Sequence, residues 1–490
     1  MYAATTSVAL VGGTVRPVMV EAHVGRQQDV FKLSGLPDTA VREAKDRVRA
    51  AVASTGLRFP NRTITVNLAP ADMPKGGTDY DLPIALGILG ASREAPPPTG
   101  VIVVGELALD GAVRAAANAL GAGVLSARRN LPCLLAHESS GEAAAIPGSR
   151  VYGIGSLAEA VDLLRTGFEN VTPAEPREPD IDHGVLDLSD IKGQGTARRA
   201  LEVSAAGGHH LLLHGPPGGG KTMLAQRLPG LFPPLDPEEA VEVALLWAAA
   251  GQSRGIHEPP PFRSPHHTAS RAALVGGGSG IPRPGEVSLA HRGVLFLDEL
   301  AEHPRSHLDS LRQPIEEGFV TVSRLRASVR FPASFQLIGA TNPCPCGFFG
   351  DQRRPCECRP AARERYRARI SGPLIDRFDM VVRVGRLDAA AYDGPPGESS
   401  DAVRRRVVEA RSLQLERGGL NRSGPLDRME MARSGRLMLK LALTKEIVTA
   451  RGADRLHRVA RSIADLDQAS VIEDSHVAEA IGMRSDWRES

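Results

Sequence analysis

Eight consecutive residues, Gly215, Pro216, Pro217, Gly218, Gly219, Gly220, Lys221 and Thr222, carry the most specific chemistry in the chain. Adjacent glycines let backbone N–H groups converge on one anion, a lysine reaches the outer phosphates of a nucleoside triphosphate, and a threonine hydroxyl ligates Mg²⁺. Further on, the apolar run Gly293-Val-Leu-Phe-Leu ends in Asp298 and Glu299. Such a pair divides naturally: Asp298 holds Mg²⁺ through its water shell, and Glu299 orients and deprotonates an attacking water. A third apolar run from Phe335 ends at Asn342, an amide suited to sensing the γ-phosphate or the lytic water. The expected cofactors are therefore ATP and Mg²⁺, and the expected reaction is hydrolysis.

Cys344, Cys346, Cys356 and Cys358 are four of the five cysteines of the chain. They are too few and too clustered for a disulfide framework, and four thiolates suffice for a closed tetrahedral structural Zn²⁺ site. Residues 318–331 alternate apolar and polar side chains about a short turn, which predicts a β-hairpin with Arg324, Arg326 and Arg330 on its tip and one face. Those guanidinium groups suit the backbone of DNA, single-stranded or branched, and the basic run Arg353–Arg369 offers a second contact. The pairs His209/His210 and His266/His267 have no companion ligands at metal spacing and read as packing or hydrogen-bonding residues.

The elements that must position these groups follow from apolar periodicity. Strands at His210–His214, Val294–Leu297 and Phe335–Ala340 alternate with helices, the pattern of a parallel sheet with crossovers. Residues 1–170 alternate Val/Ile-rich and Ala-rich runs as a smaller α/β domain, 171–186 form a Pro- and acid-rich linker, 187–388 are the phosphate-binding core, and 389–490 are helical. The 490 residues include 59 basic and 57 acidic side chains, which excludes a uniformly basic nucleic-acid coat but allows a local basic channel in an oligomer. No apolar run is long enough to span a bilayer and no signal peptide is visible, so the expected location is cytoplasmic, away from membranes.

Together these residues resemble the AAA+ ATPases. Phe262-Arg-Ser-Pro-His-His-Thr-Ala-Ser270, Pro282-Arg-Pro-Gly-Glu-Val-Ser-Leu-Ala-His291, Leu36-Pro-Asp-Thr-Ala-Val-Arg-Glu-Ala-Lys45, Asn67-Leu-Ala-Pro-Ala-Asp72, Asn342-Pro-Cys-Pro-Cys-Gly347 and Ser371-Gly-Pro-Leu-Ile-Asp-Arg-Phe-Asp379 narrow the match to the ComM/YifB group of magnesium-chelatase-like AAA+ ATPases. The resemblance implies a multidomain α/β fold: a Lon-protease-like N-terminal domain of the ribosomal S5 domain 2 type, an AAA+ P-loop core with a parallel sheet, and a C-terminal helical lid. It also implies a homo-oligomeric ring, expected to be a hexamer. The ring would be a Mg·ATP-driven DNA helicase and branch-migration factor acting in homologous recombination and integration of transforming DNA. By the same resemblance Arg377 is the arginine finger for a neighbouring subunit, although Phe378 stands where the group more often has Ile. Arg451 matches the lid arginine called sensor 2, with Arg461 as its competitor.

Two further readings belong to other classes: a magnesium-chelatase-type subunit driving metal insertion, and a protein-remodelling chaperone. A peptidase is disfavoured, because Asp79 aligns with the nucleophilic serine of Lon-like proteases and Leu120 lies near the position of the base lysine.

Overall fold

The computed structural model describes the chain except residues 27–29, 74, 178–185, 279–281, 325–326, 352, 388–392, 446–447 and 485–490. Its N-terminal part is built on β1 (Tyr2–Val11), β2 (Thr14–Val24), β3 (Phe31–Ser34), β4 (Ile64–Ala69) and β5 (Ile102–Val103). A small ribbon of β6 (Glu106–Leu107) and β7 (Val113–Arg114) follows, then β8 (Pro132–Ala136) and β9 (Arg150–Ile154). Seven of these strands form one mixed sheet in the order β3-β4-β2-β1-β5-β8-β9. The β1–β2 hairpin closes through Gly12 and Gly13, both at positive φ, as a two-residue turn between twisted strands requires. Its first strand escapes an apolar-run reading because Thr5 and Ser7 occupy buried positions. The helices Thr39–Ser54 and Asp81–Ser92 cover this sheet; the second is buried on nearly every side.

The segment expected to be a linker begins pinned to this unit: Ala174 N donates to Val151 O at 2.8 Å and Arg177 N to Gly141 O at 3.0 Å. Much of the remainder of that segment, 178–185, lies outside the described residues.

The central part holds β10 (Leu211–His214), β11 (Phe262–Arg263), β12 (Val294–Leu297), a hairpin of β13 (Phe319–Arg324) and β14 (Ala327–Pro332), then β15 (Gln336–Thr341) and β16 (Met380–Arg383). Five of them form an all-parallel sheet in the order β11-β12-β15-β10-β16. Parallel strands bring their carboxyl ends to one edge, so the residues after β10, β12 and β15 meet there. One face of the sheet shares a core with the helices Gly195–Gly207, Ser400–Glu416 and Ala450–Leu466. The other face buries Leu295, Leu297 and Leu337 together with Val320, Val322, Val329 and Phe331 of the hairpin. Val8 and Val15 of the N-terminal sheet share a third cluster with Ala240, Ala244 and Leu245, so the two sheets are joined through the helix Pro237–Ala249. No described helix is long and apolar enough to cross a membrane.

Candidate functional site

The phosphate loop leaves β10, whose four residues are all buried, and enters the helix Lys221–Arg227 through Gly220 at φ +87°, a conformation that side chains rarely adopt. Lys221 folds back over this loop. Its ammonium donates to Gly215 O at 2.8 Å, Pro216 O at 3.0 Å and Asn342 Oδ1 at 3.2 Å. Burial pushes this amine down to about 8, against the opposing pull of Asp298. Thr222 Oγ1 donates to Asp298 Oδ2 at 2.7 Å, and the other carboxylate oxygen accepts from Glu299 N at 2.8 Å. The expected metal-binding pair and the expected sensor amide are thus drawn together around one lysine. A cation, a hydroxyl–carboxylate pair and an amide at one sheet edge are the groups that binding of a polyphosphate with a hydrated divalent metal calls for.

Glu299 sits at φ +48°, in the left-handed region, which turns its side chain off the strand direction and leaves it 55% exposed. Its Oε2 lies 3.3 Å from His267 Nδ1. The His267 ring lies tilted against His266, centroids 4.1 Å apart, and meets His303 edge-on, while His303 Nε2 lies 3.1 Å from Asp298 O. The sequence assigns His266/His267 to packing or hydrogen bonding and gives His303 no role; nothing in their spacing signals that the fold brings them to the carboxylates. Gln194 was missed as well. It donates to Gly219 O at 3.2 Å and Gly385 O at 2.7 Å, fastening the phosphate loop to the chain beyond β16. The other histidine pair is internal: His209 Nε2 lies 2.7 Å from Ser462 Oγ, and His210 N donates to Asp379 at 2.9 Å.

The remaining predicted residues lie apart. Arg377 donates to Glu316 and to Pro373 O, and Arg451 is exposed in the first turn of Ala450–Leu466. Among the described residues neither makes a hydrogen bond or ion pair to the phosphate loop of its own chain. Arg461 is consumed structurally: it is 2% exposed, pairs with Asp465 at 2.9 Å and donates to Ser470 O at 2.8 Å.

The four cysteine sulfurs lie within 4.8 Å of one another, with Cys344–Cys346 at 3.3 Å and Cys356 at 3.6 Å from both. Ligands about 2.3 Å from a tetrahedral ion stand roughly 3.8 Å apart, so the donor set fits one metal ion. Backbone N–H groups also point at sulfur: Cys346 N donates to Cys358 Sγ at 3.3 Å and Cys358 N to Cys356 Sγ at 3.4 Å. The turn abuts the phosphate loop. Gly347, at φ +82°, approaches so closely that a Cβ there would lie 2.6 Å from Pro217 Cδ.

The hairpin forms from the residues expected to make it. In its register Val320 faces Phe331 and Val322 faces Val329 on the buried side, while Thr321 faces Arg330 on the exposed side. Strand alternation therefore puts Arg324, in the last pair before the tip, and Arg330 on opposite faces. Arg330 lies over the Phe319 ring, 3.3 Å from its centroid, and Arg324 Nε donates to Gly278 O at 3.2 Å. Arg326 lies outside the described residues. In the second basic run, Arg354 stacks on Phe348, Arg363 and Arg367 on Phe349, and Arg369 pairs with Glu302, so several of its charges are engaged within the chain.

Comparison with known proteins bears on the whole chain. The family described as magnesium chelatase, subunit ChlI, matches residues 187–392; the family described as subunit ChlI of Mg-chelatase matches 20–137; and the ChlI C-terminal family matches 397–484. The chain is 41% identical to the YifB protein of Escherichia coli over 97% of its own length and 96% of that protein. It is also 41% identical to the competence protein ComM of Haemophilus influenzae, over 96% and 94% of the two chains. The magnesium-chelatase 38 kDa subunit of Rhodobacter capsulatus is more distant, 26% identical over 60% of this chain and 85% of that subunit. With near-full-length identity at this level and the Gly215–Thr222 loop, Asp298, Glu299 and Asn342 assembled at one sheet edge, the chain belongs to the ComM/YifB family of magnesium-chelatase-like AAA+ proteins.

Proposed function

We propose that this chain is the subunit of a ring-forming, Mg·ATP-hydrolysing motor on DNA, a helicase and branch-migration factor that serves homologous recombination and the integration of transforming DNA. The observation that carries the reading is a continuity of chain. The arginine-bearing hairpin runs from β14 through Ala333–Phe335 directly into β15, and β15 ends beside Asn342, which accepts from Lys221. A displacement at the hairpin and a change at the γ-phosphate are thus two ends of one short element. Relatedness to a protein named for competence supports DNA as the partner.

In this reading Lys221 neutralises the outer phosphates and Asn342 reads the γ-phosphate or the water beside it. Thr222 and Asp298 would hold Mg²⁺, which when bound offsets the charge gathering on the β- and γ-phosphates. Glu299 accepts the proton of the attacking water. Arg377, released from Glu316, would complete the site of the next subunit, and Arg451 would close the C-terminal helices over the nucleotide as a lid. We assign residues 1–170 to a Lon-like domain without peptidase chemistry, 171–186 to a linker, 187–388 to the motor core and 389–490 to the lid. Asp79 supports the first assignment: it is buried and accepts hydrogen bonds from Ala117 N and Asn118, and it leaves no hydroxyl nucleophile at that position. The cysteine turn would hold a structural Zn²⁺ and brace the phosphate loop through Gly347 and Pro217.

The magnesium-chelatase alternative draws on the family names and the more distant chelatase subunit. ATP hydrolysis by the full chain, measured with and without single-stranded and branched DNA, separates the two. The motor reading expects stimulation by DNA that disappears in Glu299→Gln and is lost in Arg324→Ala. Hydrolysis that depends on Glu299 and ignores DNA refutes the motor and moves the assignment to metal insertion or protein remodelling.

A further inference from the structure

The groups around Lys221 occupy the carboxyl ends of the parallel strands. The opposite edge, where Gly208 and Gly293 precede β10 and β12 and Gln336 opens β15, borders a cavity of about 190 Å³. These strands are four to six residues long, which at 3.3 Å per residue sets the two edges roughly 13–20 Å apart. We infer that this cavity is a second anion site, which binds a small tetrahedral oxyanion of the size of inorganic phosphate through Arg411 and Arg422. It goes beyond the DNA-motor reading and does not depend on it.

The charges in the lining do not balance. Glu239, its acidic residue among the described residues, is taken by Arg292 at 2.8 Å. Arg411 and Arg422, both partly buried, have no carboxylate at ion-pair distance among the described residues. Arg411 spends Nε and Nη2 on a single carbonyl, Ala205 O, at 2.9 and 2.7 Å, and its guanidinium lies 4.8 Å from the Phe232 ring centroid. Its Nη1 makes no hydrogen bond among the described residues.

Arg422 is worse served. Its Nη1 stands 3.0 Å from His210 Nε2, but His210 Nδ1 already accepts from Leu337 N at 2.9 Å. The proton of the neutral ring is then on Nε2, so Arg422 meets a donor instead of an acceptor. Burial pushes Arg411 down to about 10 against the pull of Glu239, and it pushes Arg422 down as well. Guanidinium groups nonetheless stay charged near neutral pH, so two like charges share one recess without a counter-ion. An anion between them removes that cost.

Size and shape define the class. The cavity is smaller than the pockets that hold drug-sized molecules, which suits an occupant of a few heavy atoms. Arg411 enters from the helix Ser400–Glu416 and Arg422 from the loop beyond it, while Ser334 offers a hydroxyl from the stretch between hairpin and β15. Oxygens pointing in four directions can accept from all three at once, whereas a carboxylate presents two in one plane. Phe232, Pro233 and Pro260 form an apolar wall that strengthens the charge interaction. A bound oxyanion would thus join the C-terminal helices to the base of the hairpin.

The test is equilibrium dialysis of radiolabelled inorganic phosphate against the full chain, over the millimolar range, with Mg²⁺ and a non-hydrolysable ATP analogue saturating the phosphate loop. Wild type should retain one phosphate per chain, displaced by sulfate and not by succinate. Arg411→Gln and Arg422→Gln should each weaken binding about tenfold to a hundredfold, with Arg422→Lys between them and wild type. Arg405→Gln, which removes the same charge from an exposed position on the same helix, should bind as wild type does. Arg411→Gln also loses the Ala205 bond, so the two Arg422 variants carry the test if it does not fold. No retained phosphate in wild type, or an affinity unchanged in both Arg422 variants, overturns the inference; displacement by succinate as effective as by sulfate overturns the tetrahedral class. If the analogue does not bind, the nucleotide reading fails instead, and the Arg422 variants still decide whether phosphate occupies this cavity.

Discussion

In the proposed function, the environment of Lys221 would make nucleotide binding a proton-linked reaction. Burial brings its amine to about 8 while Asp298 pulls the other way, so near pH 8 the unliganded site is a mixture of ammonium and amine. Phosphate oxygens beside the amine restore the charged form, so binding above pH 8 takes up a proton. At pH 8.5 the uptake should be roughly 0.75 proton per site, and between pH 7 and 9 the affinity should fall about tenfold, or about 1.4 kcal/mol. The sign follows from linkage: the bound state holds more protons than the free state in this window, so raising the pH opposes binding. Titration calorimetry of a non-hydrolysable ATP analogue at saturating Mg²⁺, in two buffers of different ionisation enthalpy, reads the uptake directly. The ATP γ-phosphate is already ionised there and does not contaminate the signal. Identical heats in both buffers at pH 8.5, with affinity flat from pH 7 to 9, would refute the assignment of Lys221 as a buried, phosphate-seeking ammonium.

Four other outcomes follow from the same geometry. Purified protein should carry about one equivalent of zinc, released by a thiol-reactive mercurial with a colorimetric zinc reporter; Cys356→Ser/Cys358→Ser should lose it and melt lower, and full-length protein free of metal after purification in zinc-supplemented medium would refute the site. Burial raises Asp79 to about 6, opposed by the N–H of Ala117 and by Asn118, so its protonated form contributes up to about 3 kcal/mol of stability below pH 4 that is lost as pH rises through 6. Thermal melts of Asp79→Asn should show a flatter pH dependence than wild type between pH 4.5 and 7, and parallel curves would count against it. Arg461→Ala breaks a buried pair and should cost about 3–5 kcal/mol, visible as a lowered denaturation midpoint. Arg451→Ala, at an exposed position, should stay within about 0.5 kcal/mol of wild type while slowing ATP hydrolysis. The reverse pattern would exchange their roles.

The amino-acid sequence alone determined what is local. A phosphate loop is legible because its chemistry belongs to contiguous residues: the glycines that turn the backbone, the lysine and the threonine must be adjacent to act, and the structure adds only the partners. The same holds for strands made of uninterrupted apolar runs, such as Val294–Leu297, and for cysteines near enough in the chain that a turn with Gly347 and Gly350 suffices to gather them. β1 was not legible, since its inward positions include Thr5 and Ser7, nor were the two residues of β11, because pairing rather than hydrophobicity makes them a strand. Tertiary structure alone decided which distant groups meet. Parallel strand order brings Asn342 to Lys221 across 121 positions, and a loop running past the sheet edge delivers His267 to Glu299. It also decided which arginines remain free to act: Arg461 is closed into a buried pair while Arg451, ten residues earlier on the same helix, stays exposed. Strand register, which no spacing of arginines encodes, sends Arg324 and Arg330 to opposite faces. The physical reason is common to all of these: covalent order fixes a residue's neighbours within a turn or two, and beyond that range only the packing of buried faces determines distance.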